Sequence, residues 1–259
     1  MSAVGWAFRH LSGFARRSFG IHMYRQLPRG VDPFADIAVY LPNTKKIERI
    51  YDVGAHDGTV AMGLHRRFPS AEIHCFEPVK ATFNRLLANL QRHKIRNVVA
   101  HALALDQSSG PGYMIYGEYE GRKYDDLHRL AQDNVGDEQV VRIRLDELPI
   151  NTSQRINYLK VDTEGGDLNV LRGATGLLRV QRIDLIQVEA GISQANTTHV
   201  PFALLKEFLQ QYDYHLFGIY EQVNEWTENR VCLRRADLVF VASNILDANR
   251  PPVEPSLSS

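Results

Sequence analysis

Short apolar runs alternate with helix-period stripes along most of this chain, and that alternation restricts the fold more than any other feature of the sequence. Candidate strands lie at 47–53, 71–76, 98–105, 156–161, 183–188, 215–220 and 238–242. Between them, Phe83, Leu86, Leu87 and Leu90 fall at the i, i+3, i+4, i+7 spacing of one helical face. Leu168, Leu171, Ala174 and Leu178 form a second such stripe, and Leu204, Leu205, Phe208 and Tyr212 a third, with Pro201 suited to its first turn. Strands alternating with helices predict an α/β, doubly wound, mostly parallel sheet covered on both faces. The last two runs are separated only by a turn-rich stretch at 224–230, too short for a crossover helix, so the final pair is expected to be antiparallel. Residues 106–148 break the rhythm with Gly110, Pro111, Gly112, Gly117 and Gly121 and then many charges. They read as an insertion at the carboxyl edge of the sheet, where loops form ligand sites, with extra strands at 113–116 and 140–145.

The chain has 259 residues, 44% of them hydrophobic, with 30 Lys and Arg against 30 Asp and Glu. That length supports one main domain, expected at 35–246. A net charge of zero argues against a nucleic-acid binder, which needs surplus Lys and Arg to displace counterions from phosphates. Cys75 and Cys232 cannot build a disulfide framework or a closed zinc site, which fits a reducing, cytoplasmic setting. No run approaches the roughly 18 apolar residues of a spanning helix. Charge is nonetheless uneven: Arg9, Arg16, Arg17, Arg25 and Arg29 all precede the first acid, Asp32. On a helical wheel Val4, Phe8, Leu11, Ala15 and Phe19 share a face, so residues 1–34 read as a basic amphipathic arm. A helix packed on the body is favoured over a membrane-surface helix or a transit-like peptide, and Arg16 and Arg17 argue against a signal peptide. Residues 247–259 are Pro- and Ser-rich and read as a disordered tail.

The most informative local segment is Ile50-Tyr51-Asp52-Val53-Gly54-Ala55-His56-Asp57-Gly58-Thr59. A strand ending in an acid, a glycine turn and a helix form the nucleotide-binding opening of a doubly wound fold. A dinucleotide site wants G-x-G-x-x-G, whose middle glycine lets the backbone approach a pyrophosphate. Here His56 holds that position and would crowd a diphosphate. The pattern suits an adenosine cofactor without phosphates, S-adenosylmethionine: Asp52 faces its cationic amino-acid end, while Gly54 and Ala55 leave room across the turn. Glu77, in Cys75-Phe76-Glu77-Pro78, ends the second strand where an acid grips ribose hydroxyls. As ordinary turn residues, Asp52 and Glu77 would be helix caps or loop acids, but two acids at consecutive strand ends favour the cofactor reading.

The fourth strand runs into Lys160-Val161-Asp162-Thr163-Glu164-Gly165-Gly166-Asp167, which brings Asp162 and Glu164 to the same sheet edge. With this segment the chain resembles the FkbM-type family of S-adenosylmethionine-dependent methyltransferases. The resemblance rests on Asp52-Val53-Gly54-Ala55 with Gly58, Phe76-Glu77-Pro78, Ala102-Leu103-Ala104 before Gly110, Leu145-Asp146-Glu147-Leu148, Leu159 to Gly165, and Val170-Leu171-Arg172-Gly173-Ala174. It implies a class I methyltransferase fold, a seven-stranded Rossmann-like sheet with one antiparallel strand near the C-terminus. It also implies O-methylation of a hydroxyl on a sugar, glycan or natural product. Carried over by position, Asp52, Gly54, Ala55 and Gly58 hold the methionine end, Glu77 the ribose and Leu103 the adenine edge, and Asp162 and Glu164 line the reaction crevice. Asp167 and Thr163 depart from the family, which commonly has Glu and an aliphatic residue there.

Methyl transfer is an in-line displacement that needs positioning, and a sugar hydroxyl needs a base or a cation to remove its proton. The candidates are Asp162, Glu164, Glu189 at the end of the next strand, and His56, with His199 more readily a loop or helix-start residue. Asp162, Glu164 and Glu189 also admit a divalent cation such as magnesium, which is not favoured because loop amides satisfy such acids equally well. Tyr119-x-x-x-Lys123 has the spacing of a short-chain dehydrogenase pair, but glycines and charges place it in a loop rather than on the helix that pair requires. Two alternatives remain beside the methyltransferase reading: an NAD-dependent oxidoreductase, and a non-catalytic methyltransferase-like binding protein that engages a partner or a membrane through its arm.

Overall fold

A computed structural model describes residue 24 and residues 27–44, 46–119, 122–131, 133, 135–148, 154–225 and 231–250. The stripe from Val4 to Phe19 and the tail from 251 onward lie outside these residues. In chain order the strands are β1 (Arg49–Val53), β2 (Glu72–Phe76), β3 (Val98–His101), β4 (Ala104–Leu105), β5 (Gly110–Tyr119), β6 (Arg122–Leu130), β7 (Glu138–Ile143), β8 (Ile156–Val161), β9 (Ile183–Gly191), β10 (Tyr214–Asn224) and β11 (Leu233–Ala242). The helices are α1 (Pro33–Tyr40), α2 (Thr59–Arg67), α3 (Lys80–Arg92), α4 (Asp167–Arg172), α5 (Thr175–Arg179), α6 (Phe202–Gln210) and α7 (Ser243–Ala248).

Seven strands form the main sheet in the order β10-β11-β9-β8-β1-β2-β3. β11 runs antiparallel to both its neighbours and the other pairs are parallel, the expected doubly wound α/β arrangement with one antiparallel strand. Every residue of β1, β8 and β9 is buried, as strands with both faces covered must be. The chain builds β1, β2 and β3 outward and then returns to lay β8 on the other side of β1. The switch point therefore falls between the carboxyl ends of β1 and β8, where open α/β sheets bind ligands.

Three expectations are corrected. The run at 98–105 is two strands: β3 stays in the main sheet, while β4 pairs with β7 in a second sheet ordered β4-β7-β5-β6. This four-stranded sheet, with its own small core of Val79, Ala104, Met114 and Val140, is what the insertion folds into. Tyr119 ends β5 opposite Arg122 of β6, and Lys123 pairs with Glu118, so both members of the Tyr119/Lys123 pair lie on paired strands rather than in a loop, and neither is on a helix. The stripe from Leu168 to Leu178 is two helices: the backbone leaves helical geometry at Ala174, and the Gly173 carbonyl accepts from Asp146 N at 3.0 Å, while an added Cβ at Gly173 would lie 2.1 Å from the Asp106 carbonyl oxygen. Asp146 then accepts hydrogen bonds from Gly176 N and Leu177 N at 2.9 and 3.0 Å and caps α5.

The division at 34/35 falls inside α1, whose start is capped by Asp32 through Phe34 N and Ala35 N at 2.8 and 3.0 Å. Arg29 reaches the body as well, donating to the Phe217 carbonyl at 2.8 Å with its guanidinium over the Tyr40 ring. At the other end α7 continues to Ala248, past the division at 246/247. Among the described residues no helix is long and apolar enough to cross a membrane.

Candidate active site at the carboxyl ends of the parallel strands

β1 delivers Asp52 to the switch point, fully buried and with neither carboxylate oxygen hydrogen-bonded. Register sets it beside Lys160 of β8. Burial raises its pKa to about 6 even though the neighbouring Lys160 works the other way. The turn that follows is compressed. Gly54 has φ +80°, and a Cβ there would lie 1.8 Å from the Asp162 carbonyl oxygen, so this glycine is required by the approach of β1 to β8. Gly54 N and Ala55 N both donate to the Phe76 carbonyl, at 3.0 and 3.1 Å. Gly58 has a left-handed backbone, φ +84°, and a Cβ there would lie 2.4 Å from the Leu86 Cδ1 methyl.

Glu77 completes this half of the site. One of its oxygens accepts from His56 N at 3.1 Å and the other from Val79 N at 2.9 Å, so the carboxylate bridges the β1 turn and the start of α3. Burial pushes its pKa up. Leu103 occupies the two-residue break between β3 and β4, half-buried against the main core. His56 has a left-handed backbone, φ +49°, and its ring is near the Asp57 carboxylate.

The other half is built by β8, β9 and the segment after β9. Lys160, buried, donates to Asp162 at 2.8 Å. Burial opposes the charge on Asp162, but the ammonium outweighs it and keeps this carboxyl below its ordinary range. The next turn is anchored from beneath by Asp167, which accepts from Thr163 N and Gly165 N at 3.1 and 3.3 Å. Within it Glu164 has φ +52°, and Gly165, at φ +98°, lies so close to the Thr198 carbonyl that a Cβ would approach to 2.3 Å. The chain after β9 is thereby laid against the turn after β8.

That contact brings in His199. Its Nε2 is 2.7 Å from Glu189 Oε2 and 3.7 Å from Glu164 Oε2. Its Nδ1 faces the side chain of Asn196, whose Oδ1 also accepts from Thr198 N and His199 N. The second oxygen of Glu189 is paired with Arg235 of β11. Burial together with Asp162 and Glu189 raises the pKa of Glu164. For His199 burial acts downward, but the bond to Glu189 and the charge of Glu164 prevail and raise it.

The fold thus gathers Asp162, Glu164 and Glu189 at one sheet edge, with Asp52 and Glu77 at the neighbouring strand ends. His56 is held toward Glu77 and Asp57. Lys160, Arg235 and Asn196 were missed in the sequence. Lys160 sits two residues before Asp162, a local signal, whereas Arg235 and Asn196 reach the site only through strand order and loop folding.

The buried, unpartnered Asp52 fits the cationic amino-acid end of S-adenosylmethionine, a donor that would satisfy both its charge and its oxygens. Glu77 retains free lone pairs for ribose hydroxyls. Comparison with known proteins agrees in kind. Residues 52–216 match the Methyltransferase FkbM domain. Methyltransferase 1 of Beauveria bassiana is 30% identical over 142 residues, 48% of this chain and 57% of that protein. Hexuronic acid methyltransferase AglP of Haloferax volcanii is 28% identical over 193 residues, 73% of this chain and 76% of its own. Methyltransferase sdnD of Sordaria araneosa is 27% identical over 169 residues, 54% and 65%. The match therefore spans less than two thirds of the Beauveria and Sordaria proteins.

Proposed function

The chain belongs to the FkbM methyltransferase family, and on that premise we propose that it uses S-adenosylmethionine to methylate a hydroxyl oxygen of a sugar, glycan or natural product. The observation that carries this reading is the orphaned, buried carboxylate of Asp52 next to a crevice lined by Asp162, Glu164 and Glu189. Asp52, with the turn of Gly54, Ala55 and Gly58, holds the methionine end, Glu77 the ribose and Leu103 the edge of the adenine. When bound, the cofactor supplies a methyl group on a positively charged sulfur. The crevice carboxylates orient the acceptor hydroxyl and take up its proton, and His56 contributes from the cofactor-side turn. An acceptor in the hexuronic acid class is the first to try, because the Haloferax relative carries that name and aligns over most of both chains.

The test is calorimetric titration of the full chain with S-adenosylmethionine, followed by a screen of uronic acids, neutral sugars and other hydroxyl compounds. Binding should be tight in the wild type and at least ten-fold weaker in Asp52→Ala and Glu77→Ala. Glu164→Gln should keep the cofactor and slow methyl transfer. Tight binding of NADH without any response to S-adenosylmethionine would replace this reading by the oxidoreductase one.

A further inference from the structure

The crevice has an uneven charge pairing that the proposed methyl transfer does not by itself require. Asp162 is neutralised by Lys160 and Glu189 by Arg235. Glu164 has no Lys or Arg ion pair at contact distance among the described residues, Arg235 acting on it only from beyond its own pair with Glu189. The nearest basic group is His199, 3.7 Å away and already bonded to Glu189. One carboxylate oxygen from each glutamate and Nε2 of His199 lie within 4.8 Å of one another. Two carboxylates and an imidazole converging from three separate segments form a donor set that suits a divalent cation with open positions.

The surroundings are organised around these three groups. His199 Nδ1 is 3.0 Å from Asn196 Oδ1 and 2.9 Å from its Nδ2; in the tautomer with the proton on Nδ1 the ring donates to Oδ1 and turns the lone pair of Nε2 toward the glutamates. Asn196 is itself buried and fixed by the backbone amides of Thr198 and His199. Arg235 holds the far oxygen of Glu189 and leaves Oε2 for the crevice. Glu164 is the adjustable member, with its side chain 30% exposed.

We propose that Glu164, Glu189 and His199 bind a divalent cation of the magnesium or manganese type, with Asn196 and Arg235 as the residues that position two of the ligands. The site completes the reading above, since a cation here binds the acceptor oxygen and favours its deprotonation, the proton passing to solvent or a crevice carboxylate. Its existence is tested independently of any acceptor. Mn2+ alone is titrated into the full chain and followed by electron paramagnetic resonance of the free ion, with S-adenosylmethionine binding measured in parallel by calorimetry.

The expected result is one saturable Mn2+ per chain that Mg2+ displaces. Affinity should fall at least ten-fold in His199→Ala and Glu164→Gln, while S-adenosylmethionine affinity stays within two-fold. Asn196→Ala should weaken Mn2+ less than His199→Ala does. Because His199 is tightly packed, Glu164→Gln, at a partly exposed position, keeps the test valid if His199→Ala fails to fold. Absence of saturable binding, or binding indifferent to Glu164→Gln, overturns the cation site. Loss of S-adenosylmethionine binding in the wild type, with Mn2+ still bound, overturns the methyltransferase reading instead.

Discussion

Asp52 is enclosed at the end of β1 with Lys160 and Asp162 as its charged neighbours and no hydrogen bond to either oxygen, so the cofactor-free fold carries an unsatisfied acid. Its folded pKa of about 6 lies above the ordinary 3.8. A carboxyl raised in this way contributes stability that is complete below the unfolded value and disappears as pH rises through the folded one. The melting temperature of the cofactor-free wild type should therefore fall more between pH 5 and pH 7.5 than that of Asp52→Asn, as scanning calorimetry of the two proteins would read. Parallel curves would mean that Asp52 is not titrating in this window. At Gly54 the constraint is steric. Gly54→Ala meets both a left-handed backbone and the Asp162 carbonyl, and should lower stability by roughly 2–4 kcal/mol in urea unfolding. A shift below 0.5 kcal/mol would show that β1 and β8 separate without penalty.

Among the elements, the buried central strands were legible because their length and apolar content leave few alternatives. The second sheet was legible only in part. β5 and β6 mix glycines and charges, since a sheet with exposed surface does not need the apolar run that marks a central strand. The break between α4 and α5 left no trace in the hydrophobic stripe, because Leu171, Ala174 and Leu178 remain buried across it. At the break the Gly173 carbonyl accepts from Asp146 N, and the Asp106 backbone packs against Gly173, both contacts from segments distant in sequence. The Leu145-Asp146-Glu147-Leu148 segment, noticed for its resemblance, acts locally, since Leu145 and Leu148 are buried while Asp146 caps α5. Asp146→Ala should cost about 1 kcal/mol in chemical denaturation and leave S-adenosylmethionine affinity unchanged. A change in affinity would tie α5 to the cofactor site.

Over the whole molecule, the zero net charge is a sum of separated parts. Basic residues dominate before Asp32, and acids gather at the ends of β1, β2, β8 and β9. Arg29 joins the arm to the body through Phe217 and Tyr40, which sets a boundary for truncation. Removing residues 1–26 keeps that contact, so the body should retain its cooperative melting transition. If the arm binds membranes, the same truncation should abolish co-sedimentation with vesicles containing phosphatidylserine, and undiminished sedimentation would remove the arm from that role. The sequence by itself determined the doubly wound sheet and the acids at its strand ends, because burial periodicity and turn composition are local properties that each segment carries wherever it lies. Only the tertiary structure decided that His199 meets Glu164 and Glu189, that Arg235 pairs with Glu189 and that the insertion is a second sheet. Those outcomes depend on strand order and on backbone approaches between distant segments, which no local spacing encodes.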